Sequence, residues 1–165
     1  MAASTCTDVV TVDPRAYPDR PWVGVGSVVF AADGRVLLVR SGSGSRKGQW
    51  GLPGGAQHVG ETVFEAAIRE VREETGIEIA PRAVITVVDL IRRDEGGRPK
   101  YHYTLVDVLA EPIGGVLQAG DDADRAEWIA PDDLAALGMW TETIRIIEMG
   151  RTLQTLSHRE RVRTQ

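Results

Sequence analysis

The stretch from Gly55 to Ile77, G-A-Q-H-V-G-E-T-V-F-E-A-A-I-R-E-V-R-E-E-T-G-I, constrains this chain more than any other. It holds five glutamates around Arg69 and follows a glycine-proline turn, Leu52-Pro53-Gly54-Gly55. If residues 61–75 are helical, Glu70, Glu73 and Glu74 fall within about one turn, because residues three and four apart share a face. Like charges at that spacing repel by roughly 0.2–0.5 kcal/mol per pair, so a helix that gathers them predicts a cation among them. Carboxylates are hard oxygen ligands, which suit Mg2+, or alternatively Mn2+, better than Zn2+. Phe64, Ala67, Ile68 and Val71 form the expected buried stripe, displaced by roughly 100° from the carboxylates. Gly76 stands where a helix ends in a left-handed residue, and Ile77 can pack back on the last turn.

A chain of 165 residues reads as one domain, long enough to bury roughly two thirds of its unfolded surface without disulfides. Its single cysteine, Cys6, can form no internal bridge and fits a reducing compartment. The first twenty residues lack the basic start and apolar core of a signal peptide, and no apolar run approaches a membrane span. These features predict a cytoplasmic protein with no membrane partner. The formal net charge of −5 argues against a broad surface for extended nucleic acid, yet admits a small anion held by local contacts. The organisation expected is an N-terminal arm over residues 1–20, a domain over 21–157 and a tail over 158–165. Self-association through the arm or a sheet edge is compatible with the sequence, and so a homodimer stays open.

Residues 8–12 carry a short strand signal, and residues 22–30 a stronger one, rich in β-branched and aromatic side chains. A turn at 31–34 predicts residues 35–39 as the hairpin partner of that second strand. The glycine- and serine-rich segment 41–48 reads as a loop ending in Arg46 and Lys47, candidate phosphate contacts. Pro53 cannot continue a central ladder, and so Trp50 to Gly55 turns the chain into the glutamate-rich helix. Strands are expected at 83–91 and 101–109 around a turn containing Gly96-Gly97, with a last strand at 125–129. A short helix at 131–137 and a longer one at 143–156 complete the pattern. Strands and helices mix without regular alternation, which gives an α+β class.

Gly55, five residues, Glu61, seven residues, then Arg69-Glu70-Val71-x-Glu73-Glu74-x-Gly76-Ile77 resembles the Nudix box of the MutT-like hydrolases at every defined position. The resemblance is close over 23 residues and looser from Trp22 to Leu137. It implies an α/β/α sandwich with a mixed β-sheet, the box forming a loop, helix and loop beside the cleft. It also implies Glu70, Glu73 and Glu74, with the Gly55 backbone, as metal ligands, and Arg69 as the residue that orients the carboxylates through a salt bridge to Glu73 or Glu61. Catalytic residues by this resemblance are Arg69, Glu70, Glu73 and Glu74. The group that takes a proton from water stays open between Glu73, Glu74 and an acid elsewhere, for which the Gly120–Asp124 segment, and Asp121 in it, is the candidate.

The implied chemistry is hydrolysis of a pyrophosphate bond in a small nucleotide, the metal offsetting phosphate charge and lowering the pKa of a bound water. Arg46, Lys47, Trp50, Gly54, Gly55, Tyr101, Tyr103 and Asp121 are the candidate substrate contacts, the aromatic ones as planes for a base; Trp22 is a further aromatic of this kind. The substrate stays open between a (d)NTP and a nucleoside diphosphate derivative such as ADP-ribose or an NDP-sugar. The proline that many ADP-ribose pyrophosphatases carry downstream of the box is absent, Arg92 and Arg93 standing there, and so is the run that marks NADH pyrophosphatases. The alternative activity is a non-catalytic nucleotide-binding module, although such modules commonly lose box glutamates that this chain keeps.

Overall fold

The computed structural model describes residues 13–163 apart from residue 121. Cys6, the short strand expected at 8–12 and Asp121 lie outside the described residues. Two sheets share one core. The first has the order β4-β1-β6-β5, built from β1 (Trp22–Val29), β4 (Gly54–Ala56), β5 (Ile77–Arg93) and β6 (Pro99–Gly115). It is mixed, since β1 runs parallel to β6 and antiparallel to β4. The second, antiparallel throughout, has the order β3-β2-β7, from β2 (Val36–Ser41), β3 (Trp50–Gly51) and β7 (Ala123–Ile129). Helix α1 (Val63–Thr75) follows β4, and helix α2 (Thr141–Arg163) ends the described chain.

Alternation along the strands divides the core between the helices. Val25, Val29, Leu37, Val108 and Ala110 pack with Ala66, Ala67 and Val71 of α1. Their neighbours Val28, Val36, Leu38 and Leu109 pack with Ile146 and Ile147 of α2. Successive side chains of a strand point to opposite faces, so the helices cover opposite sides and the layers stack as helix, sheet, helix. This is the α+β sandwich with a mixed sheet that the sequence predicts.

Three expectations are corrected. The segment 35–39 is not the hairpin partner of β1: the two touch through a single bridge, Phe30 to Val36, and β2 then pairs with β3 and β7. Both edges of β1 are already occupied, by β4 and β6, so no edge is left for β2. The long strands extend well past 83–91 and 101–109. Pro81 lies inside β5 because that strand is at the sheet edge and its register shifts there, so a missing N–H breaks no inner ladder. Helix α2 runs on through the segment expected as a tail. The short helix at 131–137 is present as a 3-10 helix.

Helix α1 is also rotated from the expected stripe. Ala66, Ala67, Val71 and Thr75 are its buried residues, while Phe64 and Ile68 are 40% and 39% exposed. Glu70 and Glu74 fall at the centre of the sheet-facing side. Glycine makes this arrangement feasible: a Cβ on Gly55 would stand 2.4 Å from a carboxylate oxygen of Glu70. The helix starts with a reciprocal box, Thr62 Oγ1 accepting from the Glu65 N–H at 3.2 Å and Glu65 accepting from the Thr62 N–H at 2.7 Å. It ends at Gly76 with φ 69°, where a Cβ would lie 2.5 Å from the Val116 carbonyl oxygen. Gly76→Ala is therefore expected to destabilise the fold by about 1–3 kcal/mol, read as a lower urea midpoint with unchanged slope.

Candidate active site along the glutamate helix

The chain crosses from one sheet to the other at Leu52-Pro53, between β3 and β4, and this crossing delivers Gly54 and Gly55 to the side of α1. Pro53 is fully buried there, its carbonyl accepting from the Ser27 N–H at 3.0 Å. The Gly54 N–H donates to Glu74 Oε2 at 2.9 Å, and the Glu70 carboxylate lies against Gly55. Two carboxylates from successive turns thus converge on one short piece of backbone.

Arg69 holds the cluster together. Its Nε donates to Glu61 Oε1 at 2.6 Å and its Nη2 to Glu61 Oε2 at 3.0 Å, a two-pronged pairing that suits the planar guanidinium. Nη1 donates to Glu70 Oε1 at 2.6 Å and Glu73 Oε2 at 3.1 Å, and Nη2 also reaches the Ala56 carbonyl at 3.0 Å. The salt bridges expected to Glu61 and Glu73 are both present, joined by Glu70. Glu65 is not a partner, since the helix cap uses it. The hydrogen bonds from Arg69 and the His58 N–H hold the Glu61 carboxyl down to about 2, and Glu61 in turn raises the Arg69 guanidinium.

Glu74 behaves oppositely. Burial pushes its carboxyl up to about 7, opposed by the Gly54 N–H, while the charge of Glu70 adds to the rise. Arg46 lowers it and Asp122 raises it, so both lie within electrostatic reach of the site. The acidic turn is brought here by the chain after β6: Gly120 donates to the Glu74 carbonyl and Gln118 to the Thr75 carbonyl, each at 2.9 Å, capping the end of α1. Of that turn, Asp124 is committed to Arg40 through two bonds of 2.7 and 2.8 Å, and Asp122 is the exposed acid beside Glu74. Asp122 belongs to the Gly120–Asp124 segment from which the sequence predicts an outside acid, with Asp121 as the residue singled out there, and the clustering of acids in that turn is the signal.

Lys47 lies in the exposed loop between β2 and β3, near enough to Asp124 to lower that carboxyl. Trp50 packs against the core on the α2 side. Tyr101 and Tyr103 are half-buried on β6, Tyr103 paired in register with Trp22, and thus at the end of the sheet where β1 begins. They are not beside the Glu70–Glu74 carboxylates.

The donors fit a hard divalent cation, because Glu70 and Glu74 bring excess negative charge to a glycine backbone that lets them approach. Among the described residues no three acidic, histidine or cysteine side chains meet at ligand spacing, and Arg69 engages both Glu70 and Glu73. A cation would compete with that arginine for oxygens already gathered around it.

A second buried acid lies away from this cluster. Asp107 on β6 is 4% exposed, its Oδ2 has no hydrogen-bond partner among the described residues, and burial pushes its carboxyl up to about 6, with a smaller contribution from Glu142. A folded-state value above the unfolded one means stability that is complete below about 3.8 and is lost as the pH rises through about 6. The melting temperature of Asp107→Asn relative to the parent is therefore expected to be more favourable at pH 8 than at pH 4, by the equivalent of about 3 kcal/mol at most. A difference that does not vary with pH in paired thermal melts would contradict this reading.

The family profile described as NUDIX domain matches residues 20–149. An ADP-ribose pyrophosphatase from Methanocaldococcus jannaschii is 36% identical over 124 residues, covering 75% of this chain and 70% of that protein. The human 8-oxo-dGDP phosphatase NUDT18 is 33% identical over 98 residues, which cover 59% of this chain and only 28% of that protein. Among solved structures, a MutT NUDIX hydrolase from Burkholderia pseudomallei superposes with a TM-score of 0.68 at 31% identity, over 79% of this chain and 98% of that one. Within the profile's match, Gly55, Glu61, Arg69, Glu70, Glu73, Glu74 and Gly76 keep the spacing of the box, and the structure folds that spacing into one arginine-clamped carboxylate cluster. The chain belongs to the Nudix, or MutT-like, hydrolase family.

Proposed function

We propose that residues 21–157 form a Mg2+-dependent pyrophosphohydrolase, with Mn2+ as a substitute, acting in the cytoplasm on a small nucleotide. The substrate class is a (d)NTP or a nucleoside diphosphate derivative of the ADP-ribose or NDP-sugar type. The observation that carries this reading is the convergence of Glu70 and Glu74 on the Gly54–Gly55 backbone, with Arg69 tying Glu70 and Glu73 to Glu61. Glu70, Glu73, Glu74 and the Gly55 carbonyl would hold the cation. When bound, it would offset the negative charge of the pyrophosphate and make a water more acidic.

The protein's own groups take the remaining tasks. Arg69 fixes the carboxylates so that they do not have to be ordered at each turnover. Arg46, from the loop after β2, supplies positive charge beside Glu74 for a phosphate, with Lys47 next to it. Glu73, Glu74 and, from the acidic turn, Asp122 are the acids available to accept the proton of the attacking water. The phosphorus–oxygen bond of the anhydride then breaks, giving two phosphorylated products with no phosphoenzyme.

No helix among the described residues is long and apolar enough to cross a membrane, and the net charge of −5 disfavours an extended nucleic acid as substrate. The test is incubation with ADP-ribose, a UDP-sugar, dATP and 8-oxo-dGDP, with Mg2+ and with chelator, followed by chromatography of products. The expected result is cation-dependent release of a nucleoside monophosphate from at least one of them. No cleavage with either Mg2+ or Mn2+ would favour the binding-module alternative.

A further inference from the structure

Two loops meet beside Glu74, and they are fastened to each other. The first, residues 41–49 between β2 and β3, carries Arg46 and Lys47, and the second, between β6 and β7, carries Asp122. Each is shaped by its own backbone. Ser41 closes the first loop at its base, its N–H donating to the Gln49 carbonyl at 3.0 Å and its carbonyl accepting from the Gly48 N–H at 2.7 Å. Gly120 seats the second on the end of α1: its N–H donates to the Glu74 carbonyl at 2.9 Å, and a Cβ there would stand 1.7 Å from the Glu73 carbonyl oxygen.

The junction between the loops is built by β2 and β7. Arg40 stands opposite Arg125 and Ser41 opposite Ala123, so the ladder skips Asp124. An extra residue of this kind bends its strand and re-aims a side chain. Here the Asp124 carboxylate takes two prongs from Arg40, Nε donating to Oδ1 at 2.7 Å and Nη2 to Oδ2 at 2.8 Å. One residue beyond the last pair of the ladder, the Gly42 N–H donates to the Asp122 carbonyl at 2.8 Å. The approach is close, since a Cβ on Gly42 would lie 3.2 Å from the Asp124 nitrogen and 3.4 Å from the Asp122 carbonyl oxygen.

Like charges directly opposite each other weaken a ladder, and Arg40 faces Arg125, so the fork to Asp124 is what offsets that repulsion at the bulge. A planar two-pronged pair fixes direction as well as distance. The two side chains are 29% and 38% exposed, which makes the pair a small contributor to overall stability. Its geometric consequence is larger, because it joins a loop that offers cations to a turn that offers acids. Both arrive at one place, where the Glu74 carboxyl feels Arg46 and Asp122 with opposite signs.

We propose that Arg40 and Asp124 are positioning residues for hydrolysis: their pair locks the cationic loop to the acidic turn, so that Arg46 and Asp122 are presented together at the Glu70–Glu74 cluster. Neither acts on the reacting atoms; each works through the Gly42–Asp122 junction. The inference rests on the pyrophosphohydrolase reading, in which Arg46 meets a phosphate and Asp122 is an acid near the attacking water.

The experiment measures kcat on the nucleotide that the parent cleaves, in Arg40→Ala, Asp124→Ala and the double variant, beside Mn2+ uptake followed by electron paramagnetic resonance and thermal melts. Each single variant is expected to lose about tenfold in kcat, as displacement of positioned groups does. The double variant should lose no more than either single one, since the two residues act as a pair. Mn2+ uptake and the melt should stay close to those of the parent, because Arg69, Glu70, Glu73 and Glu74 are untouched, whereas a general loosening of the fold would lower both. Single variants within about twofold of the parent, losses that multiply in the double variant, or losses matched by lost Mn2+ uptake would overturn the proposal while leaving the hydrolase reading intact. If the parent cleaves no nucleotide, the hydrolase reading fails first, and hydrogen exchange at the Gly42 and Gly120 amides decides the junction: faster exchange in both single variants sustains it, and unchanged exchange overturns it.

Discussion

Glu74→Gln is expected to lower hydrolysis by about 100-fold or more while leaving the fold intact, a larger effect than that of altering a group which only supports a ligand. The substitution keeps volume and leaves an amide oxygen to accept the Gly54 N–H bond now made at 2.9 Å. What it removes is charge. Glu74 is a buried carboxyl pushed up to about 7, mainly by burial, and it faces Glu70. A cation beside such a carboxyl would favour its ionised form, which the amide of the variant cannot supply. The measurement is kcat on whichever nucleotide the parent cleaves, beside a thermal melt of the metal-free variant. Full activity with a normal melt would remove Glu74 from the chemistry.

Arg69→Ala should act on both stability and activity. The guanidinium serves Glu61, Glu70, Glu73 and the Ala56 carbonyl, and its side chain is 18% exposed. Removing it leaves several acids close together without their counter-charge. Breaking a largely buried pair in this way costs about 3–5 kcal/mol, so a fall in melting temperature of roughly 6–20 °C is expected. Arg69→Lys restores charge but not the fork that reaches Glu61 with two nitrogens, and it should recover only part of the loss. A melting temperature unchanged in Arg69→Ala would show that the cluster is not held by this residue.

The box was legible in the sequence because its chemistry depends on local spacing. The helix cap at Thr62 and Glu65, the left-handed Gly76 and the side-by-side carboxylates all follow from residues a few positions apart. The rotation of α1 was not legible. Reading apolar residues alone puts Phe64 and Ile68 inside, whereas glycine at position 55 admits Glu70 to the sheet-facing side and turns those two outward. Strand partnership failed for a related reason. Alternation identified β1 and β2 as strands, but which edges are free depends on β4 and β6, which arrive much later in the chain. The pairing of Tyr103 with Trp22 and the anchoring of Tyr17 by Lys100 and Asp94 join residues about eighty positions apart, and no local pattern announces them.

Asp107 shows the limit from the other direction. Alternation along 101–109 sets Asp107 on one face with Tyr101, Tyr103 and Leu105, yet nothing in its neighbours signals that it is nearly sealed and lacks a partner at Oδ2 among the described residues. The absent side chain of Gly26 across the ladder leaves room for its carboxyl, and Glu142 of α2 lies within electrostatic reach, both distant in sequence. The acidic turn before β7 was visible as a cluster of aspartates. Only the fold separates its members, Asp124 tied to Arg40 and Asp122 left beside Glu74.

The most direct test of the account is a titration of the protein with Mn2+ followed by electron paramagnetic resonance of the free ion, in the parent and in Glu74→Gln. The parent is expected to take up the cation and the variant to bind it at least about tenfold more weakly, as for loss of a ligand or its close support. Equal uptake by the two proteins would contradict the claim that the carboxylates gathered at Gly54 and Gly55 form a cation site.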